Sequence, residues 1–322
     1  MYYKLINMFS KKDLYEQKWS KNIPWIEKYR PMTITDVIYQ KEVVKTLKQC
    51  IENDNLSHLL FYGPPGTGKT STILASAKDI YTPEKYKECV LELNASDERG
   101  INIIRTKVKL FSQKIVSHQH KFKLIILDEA DSMTIEAQSV LRHIIEKYSS
   151  ITRFCIICNY IDKIIEPIIS RCNKYRFYIL DQPSIVSVLK KISKKEKISP
   201  SIDILNYIYK ISNGDMRQAI TILQSVYYMY GNNFTIESIN YIVGTIDDEI
   251  IDEYIEILKN KNHLEIDQFC KKIYNDSYCN FIIIKQIFQK LLNANWINDN
   301  KKKDIMKLIN TIHINLINKT NF

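Results

Sequence analysis

The sequence predicts an α/β domain built on a doubly wound parallel sheet, followed by an all-α half. Three observations carry this. Short apolar runs at 59–62, 90–93, 123–127 and 154–158 alternate with helix-competent stretches, as the strands of a sheet covered on both faces do. Each run ends at a turn or polar residue: Gly63, Asn94, Asp128 and Asn159. Beyond Leu180 such runs cease, and apolar residues recur at helical spacing to the end of the chain.

The chain has 322 residues, 45% of them apolar, which is ample for two or three buried cores. A net charge of +10 and a pI near 9.0 favour an anionic partner such as nucleic acid, although basic surfaces also occur without one. No stretch approaches the length of a membrane span, and the first residues carry neither the apolar run of a secretory signal nor the arginines of a transit peptide. The seven cysteines are scattered. Cys155 and Cys158 form the only C-x-x-C pair, but three residues apart in an extended run they face opposite sides, so free thiols are expected rather than a zinc site. Arginine occurs only at positions 30, 99, 105, 142, 153, 171, 176 and 217 in a chain otherwise rich in lysine. Such scarcity points to places that need a planar, bidentate donor.

Residues 1–22 are a polar lead-in without period, and Trp25 to Pro31 is an aromatic, charged cluster that reads as a strap. Asp36 is expected to cap a helix over Val43, Val44 and Leu47. The strand at 59–62 then runs into Gly63-Pro64-Pro65-Gly66-Thr67-Gly68-Lys69-Thr70, followed by Ser71 and a helix from Lys69 to about Tyr81. This G-x-x-x-x-G-K-T spacing is a phosphate-binding loop. Its glycines let backbone N–H groups curl around phosphate oxygens, Lys69 supplies a point charge and the Thr70 hydroxyl a ligand for Mg²⁺. Asp128 and Glu129 end the third strand, where one carboxylate can hold Mg²⁺ and the other can orient and deprotonate water.

Other positions leave two readings open. Arg105 and Lys109 share a helix face that either meets DNA phosphates or is simply solvated. Arg171, after a helix over Ile164 to Ile169, either pairs with a nearby carboxylate or enters a neighbouring subunit's site. Arg217 stands in the first turn of a helix, where a positive charge gains nothing from the helix dipole, so it serves an anionic partner or a surface salt bridge. Asp181-Gln182-Pro183 marks the passage to helices at 184–195 and 201–211, a helix with Met216, Ala219, Ile220, Leu223 and Val226 on one face, and, beyond Gly244, helices at 248–259, 264–274, 278–292 and 303–317.

Taken in order, the Trp25 to Pro31 cluster, the 63–70 loop, Leu93 to Gly100, Leu127 to Met133, Arg153 to Asn159, Ile165 to Cys172 and Gly214 to Arg217 resemble the small subunits of replication factor C, the sliding-clamp loader among the AAA+ ATPases. Within that family, residues 154–160 look most like the subunit numbered four in vertebrates and two in fungi. The resemblance implies an AAA+ domain at 23–180, a helical lid at 181–244 and a helical collar at 245–322. It implies that Ile26 and Arg30 border the nucleotide, Asn159 and Arg217 sense it, Glu129 and Asp128 catalyse hydrolysis with Lys69, and Arg171 acts in trans. Asn94 would restrain the catalytic glutamate until DNA binds, and Arg105 and Lys109 would track duplex phosphates. ATP and Mg²⁺ are the implied ligands. The implied partners are the other subunits of a heteropentamer, the clamp PCNA and primer–template DNA read without sequence specificity, in the nucleus of a eukaryotic cell. A non-hydrolysing ATP-binding scaffold in the same assembly is the alternative. One departure stands out: where the family often has a glycine after paired apolar residues near the adenine, Val37-Ile38 is followed by Tyr39.

Overall fold

The protein is described by a computed structural model covering residues 23–53, 55–96, 104–114, 122–260, 263–275 and 280–319. The lead-in at 1–22 and the Arg105 side chain lie outside what it describes. The chain forms two compact units, one through Thr221 and the other from Ile222 onward.

In the first unit, α1 (Trp25–Lys28) precedes α2 (Lys41–Glu52), and β1 (Leu59–Tyr62) leads into α3 (Lys69–Ile80) and α4 (Pro83–Cys89). Then come β2 (Val90–Asn94), a π-helical turn at Ile104–Val108 continuing as α5 (Lys109–Gln113), β3 (Lys123–Asp128) and α6 (Ile135–Tyr148). After β4 (Thr152–Cys158), α7 (Glu166–Ile169) and β5 (Asn173–Arg176), the chain turns helical with α8 (Gln182–Glu196) and α9 (Ile202–Ser212). The division between units falls within α10 (Met216–Tyr230).

All five strands are parallel, in the order β2-β3-β4-β1-β5, so every strand presents its carboxyl end to the same edge. Alternation divides the apolar strand residues between two faces. Leu60, Ile125, Leu127, Phe154, Ile156 and Cys158 form one core with Ala137, Leu141, Ile144 and Ile145 of α6. Their alternates, including Leu59, Phe61, Leu124, Ile126, Cys155 and Ile157, are equally buried, and α3 packs against β3 and β4. Cys155 and Cys158 therefore do lie on opposite faces.

Two polar groups anchor the amino-terminal side of this sheet. Lys123 is buried, and its Nζ donates to the carbonyls of Phe111 (2.6 Å) and Ser112 (2.9 Å), tying the last turn of α5 to the start of β3. Burial pushes its pKa down. Beside it, the Arg153 guanidinium lies over the Phe122 ring and donates to the carbonyls of Leu56 and Ser149.

Asp36 does not cap α2. It closes a 3-10 turn at Ile34–Asp36, where its carboxylate accepts from Thr33 N (3.0 Å) and Thr33 Oγ1 (2.8 Å), and Gln40 at φ 57° precedes α2 instead. A residue four or more positions before the first helical turn is too far away to accept from its N–H groups.

In the second unit, α11 (Ile236–Val243), α12 (Asp248–Asn260), α13 (His263–Asn275), α14 (Asn280–Leu292) and α15 (Asp299–Lys319) follow. Ile246, Ile251, Ile255, Phe269, Ile273 and Ile283 form its core, with the Tyr254 and Phe269 rings stacked at 4.4 Å. Gln286 of α14 brackets Ile246, accepting from its N–H (3.1 Å) and donating to its carbonyl (2.8 Å). Among the described residues no helix is long and apolar enough to cross a membrane.

His58 generates a pH dependence. Its Nδ1 accepts from Phe154 N (3.2 Å), and burial, reinforced by the nearby Arg153 charge, pushes its pKa down to about 4. The unfolded side chain titrates near 6.5. Between those values the unfolded chain takes up a proton that the folded chain refuses. His58 therefore stabilises the fold fully above pH ~6.5, and that contribution, at most about 3 kcal/mol, is lost as pH falls toward 4. His58→Asn keeps an acceptor at the Nδ1 position without titrating, and denaturant titrations across pH 4–7 should show a flatter profile for it than for the wild type.

Candidate functional site

The candidate site lies at the carboxyl edge of the sheet, where β4 runs between β1 and β3. The loop after β1 holds Gly63, Gly66 and Gly68 at φ 143°, 67° and 91°. At Gly66 the packing is as demanding as the dihedral: an added Cβ would stand 1.7 Å from Asp215 Oδ1. Helix α3 starts directly from this loop, with Gly68 in the N-cap position and no side chain capping it, so its leading N–H groups point into the loop. Thr67 Oγ1 donates to Pro64 O (2.8 Å) and fixes the loop's curl.

Three strand ends meet here. Lys69 Nζ donates to Gly63 O (2.7 Å), Pro64 O (2.7 Å) and Asn159 Oδ1 (2.9 Å), and Thr70 Oγ1 donates to Asp128 Oδ2 (2.7 Å). Lys69 is only 7% exposed, and desolvation lowers its pKa against the opposing pull of Asp128. A buried ammonium whose partners are neutral oxygens is suited to an anion. Glu129 follows Asp128 in the left-handed region at φ 53°, which turns its side chain outward to an exposed position. Its N–H donates to Asp128 Oδ1 (2.9 Å). Asp131 secures the geometry from behind by accepting from the backbone N–H groups of Asn159 and Tyr160, both at 3.2 Å.

A cavity of about 840 Å³ opens over these groups. Of the expected nucleotide-site residues, Ile26, Arg30, Pro65, Gly66, Gly68, Lys69, Thr70, Ser71, Asp128, Glu129, Asn159 and Arg217 line it, while Gly63, Pro64 and Thr67 shape the loop from behind. Arg217 is exposed where it lines the cavity. Ile38, Tyr39, Met216 and Ile220 add apolar lining to the cavity, and Lys28, Lys191, Lys194 and Lys195 add positive charge. The volume, the loop donors and the hydroxyl–carboxylate pair Thr70–Asp128 fit a nucleoside triphosphate with its Mg²⁺.

The other expected residues are placed elsewhere. Asn94 ends β2 in register with Asp128, and its Oδ1 accepts from Ser96 N (2.9 Å) and Ser96 Oγ (2.8 Å). Lys109 is exposed on the first turn of α5. Arg171 pairs with Glu146 of α6 at 2.6 Å, the nearby carboxylate allowed for in one of its two readings.

Four positions were not marked as site residues by the sequence. Tyr39 takes the place of the glycine common in the family; its ring covers Gly68, and burial raises its pKa to about 12. Asp215 sits against Gly66, while the adjoining Met216 N–H donates to Gly66 O (3.1 Å). Glu196 of α8 binds Lys28 Nζ (2.6 Å) and the Tyr29 hydroxyl, closing the strap over the cavity. Gln138 of α6 donates to Lys163 O (2.9 Å) and accepts from Ile165 N (2.9 Å), pinning the segment that leads to Arg171.

Fold and site together define a P-loop ATPase. Residues 59–179 match the AAA family, described as ATPases associated with various cellular activities, and residues 187–228 match the RCF1/5-like AAA+ ATPase lid domain. The chain is 44% identical over 301 residues to replication factor C subunit 2 of Schizosaccharomyces pombe, covering 91% of this chain and 88% of that protein. It is 43% identical over 299 residues to human replication factor C subunit 4, covering 90% and 82%. Among solved structures, the Thermotoga maritima RuvB Holliday junction branch migration motor shares the fold, with a TM-score of 0.56, 17% identity and coverage of 72% of this chain and 80% of that one. The chain belongs to the family of replication factor C subunits, within the AAA ATPases.

Gly66 provides a direct test of the loop geometry. Gly66→Ala adds a clash with Asp215 to the strain of a positive φ, whereas Gly231→Ala, at φ 64° with nothing within 4 Å of the added Cβ, adds the strain alone. Thermal melts should show a loss of about 1–2 kcal/mol for Gly231→Ala and a clearly larger one for Gly66→Ala, with nucleotide binding lost only in the latter.

Proposed function

We propose that this chain is a hydrolytic subunit of a heteropentameric replication factor C, which uses ATP to open the sliding clamp PCNA and load it onto primer–template DNA. The observation that carries this is the joining of Lys69 to Asn159 and of Thr70 to Asp128 at one edge, with Glu129 exposed beside them, in a chain of this family. The loop N–H groups and Lys69 would bind the phosphates, Ile26 and Arg30 would border the nucleoside, and Arg217 would meet phosphate charge from the start of α10. Thr70 and Asp128 would hold Mg²⁺, which neutralises charge developing on the phosphoryl oxygens. Glu129 would orient the attacking water and accept its proton. Asn159 would keep Lys69 directed at the phosphates.

Arg171 would complete a neighbouring subunit's site, so hydrolysis would depend on assembly. Residues 23–180 would form the ATPase domain, 181–244 the lid and 245–322 the collar that holds the subunits together, with the complex acting in the nucleus of a eukaryotic cell. Duplex DNA inside the assembly would be read through its phosphates by Arg105 and Lys109, without sequence preference. Asn94, one strand away from Asp128, would relay that contact to Glu129.

The test is steady-state ATPase of the reconstituted complex, with and without clamp and primed DNA. Clamp and DNA together should stimulate the wild type strongly. Glu129→Gln should remove this subunit's share of turnover while ATP binding persists, and Arg171→Ala should remove the share of the neighbouring site, where such groups contribute roughly 10³ to 10⁵ in rate. A rate indifferent to clamp and DNA defeats the loader reading, and a rate indifferent to Glu129→Gln makes the subunit a scaffold. For the DNA contact, Lys109→Ala should weaken binding equally across sequences and reduce the log–log salt slope by about 1.

A further inference from the structure

In the structure Arg171 is held rather than free. Its Nη2 meets Glu146 Oε1 at 2.6 Å and its Nη1 donates to Pro167 O at 2.6 Å, while the side chain stays 38% exposed. A guanidinium has five N–H donors in a rigid fork. Nη1 also lies 3.5 Å from Ser170 Oγ, so both terminal nitrogens are engaged within the chain, and a five-donor fork still has N–H groups for a further acceptor. Glu146 is itself braced: Arg142 Nε lies 3.7 Å from the same Oε1, and His143 Nδ1 lies 3.7 Å from Oε2. Arg142 Nε is buried and makes no hydrogen bond among the described residues, so this carboxylate is the group that answers its charge.

We propose that Glu146 is a positioning residue for Arg171, fixing the guanidinium plane so that its remaining N–H groups are already ordered when a neighbouring subunit's phosphates arrive. The inference rests on the trans role proposed for Arg171. A long, flexible arginine that must order itself during the reaction gives up part of its effect, whereas one held in place beforehand does not. Glu146 touches no substrate and acts only through Arg171. The competing idea, that the carboxylate sequesters Arg171 and must release it, makes the opposite prediction.

The experiment compares neighbouring-site turnover in reconstituted complexes carrying Glu146→Ala, Glu146→Gln, Arg171→Ala or the Glu146→Ala/Arg171→Ala pair, with clamp and primed DNA present. Glu146→Ala should lower kcat by about three- to tenfold with the KM for ATP unchanged, as expected when an interaction made only in the transition state is lost. Glu146→Gln retains an acceptor oxygen at the same reach and should recover most of the rate. The double variant should be no slower than Arg171→Ala alone. A rate unchanged or raised in Glu146→Ala overturns the proposal, as does a double variant slower than Arg171→Ala. If Glu146→Ala fails to assemble, Glu146→Asp, which retracts the carboxylate, takes its place with the same expectation of reduced kcat. An Arg171→Ala complex that turns over like the wild type removes the trans reading and this inference with it, and is distinguishable from a result in which only the Glu146 variants are silent.

Discussion

The site depends on β4 lying between β1 and β3. Neighbouring strands in a sheet are about 4.8 Å apart, so two strands flanking a third end roughly 10 Å from each other. That gap is what Lys69 and Thr70, on the first turn of the helix after β1, have to span. Thr70 reaches Asp128 at the end of β3, and Lys69 meets Asn159 at the end of the strand between. With β4 at the sheet's edge, Asn159 would lie outside the reach of Lys69. Strand order, more than any one residue, makes a phosphate site out of three separate turns.

The same logic extends outward. Asp215 and Met216 lean on Gly66, so the start of α10, which carries Arg217, is fixed by the phosphate loop itself. On the other side, Trp25 is buried at 2% exposure while Ile26 and Arg30 line the cavity, and Glu196 fastens Lys28 and Tyr29 to α8. The Trp25 to Pro31 segment is thus both a strap and a wall of the cavity. The cavity closes through contacts among segments far apart in the chain, and no local pattern of residues announces such contacts.

This difference explains what the sequence made legible. The three inner strands β3, β4 and β1 and the residues at their ends stood out because burial on both faces leaves continuous apolar runs, while the edge strand β2 showed by Val90, Leu91 and Leu93 despite its exposed Glu92. Strand β5, Asn-Lys-Tyr-Arg, did not, because an edge strand with mostly exposed side chains has no apolar run to show. The short α4 and α11 passed unread for want of length. Tyr39 was visible only as a departure from a glycine, and its place over Gly68 is a contact between residues 29 positions apart that no local pattern shows. Asn94 was read by its position in a matched string; its bonds to Ser96 are local turn chemistry that the string does not reveal.

Of the helices that the sequence left unread, α6 is the one that links the most chemistry. It starts at Thr134, whose side chain accepts from Ala137 N–H (3.2 Å) just after the Asp128 to Asp131 turn. One turn on, Gln138 is buried at 2% exposure and bonded to the backbone before α7; in the last turn, Glu146 holds Arg171. A buried glutamine breaks the apolar stripe by which helices are read, and so hides a helix with Ala137, Leu141, Ile144 and Ile145 on one face. The buried amide is costly unless each of its polar atoms is satisfied, and here both are. A helix satisfied in this way keeps the Asp128 to Asp131 turn and Arg171 at fixed separation. Contacts along α6, from the Thr134 cap through Gln138 to Glu146, thus tie the segment after β3 to Arg171 within one domain.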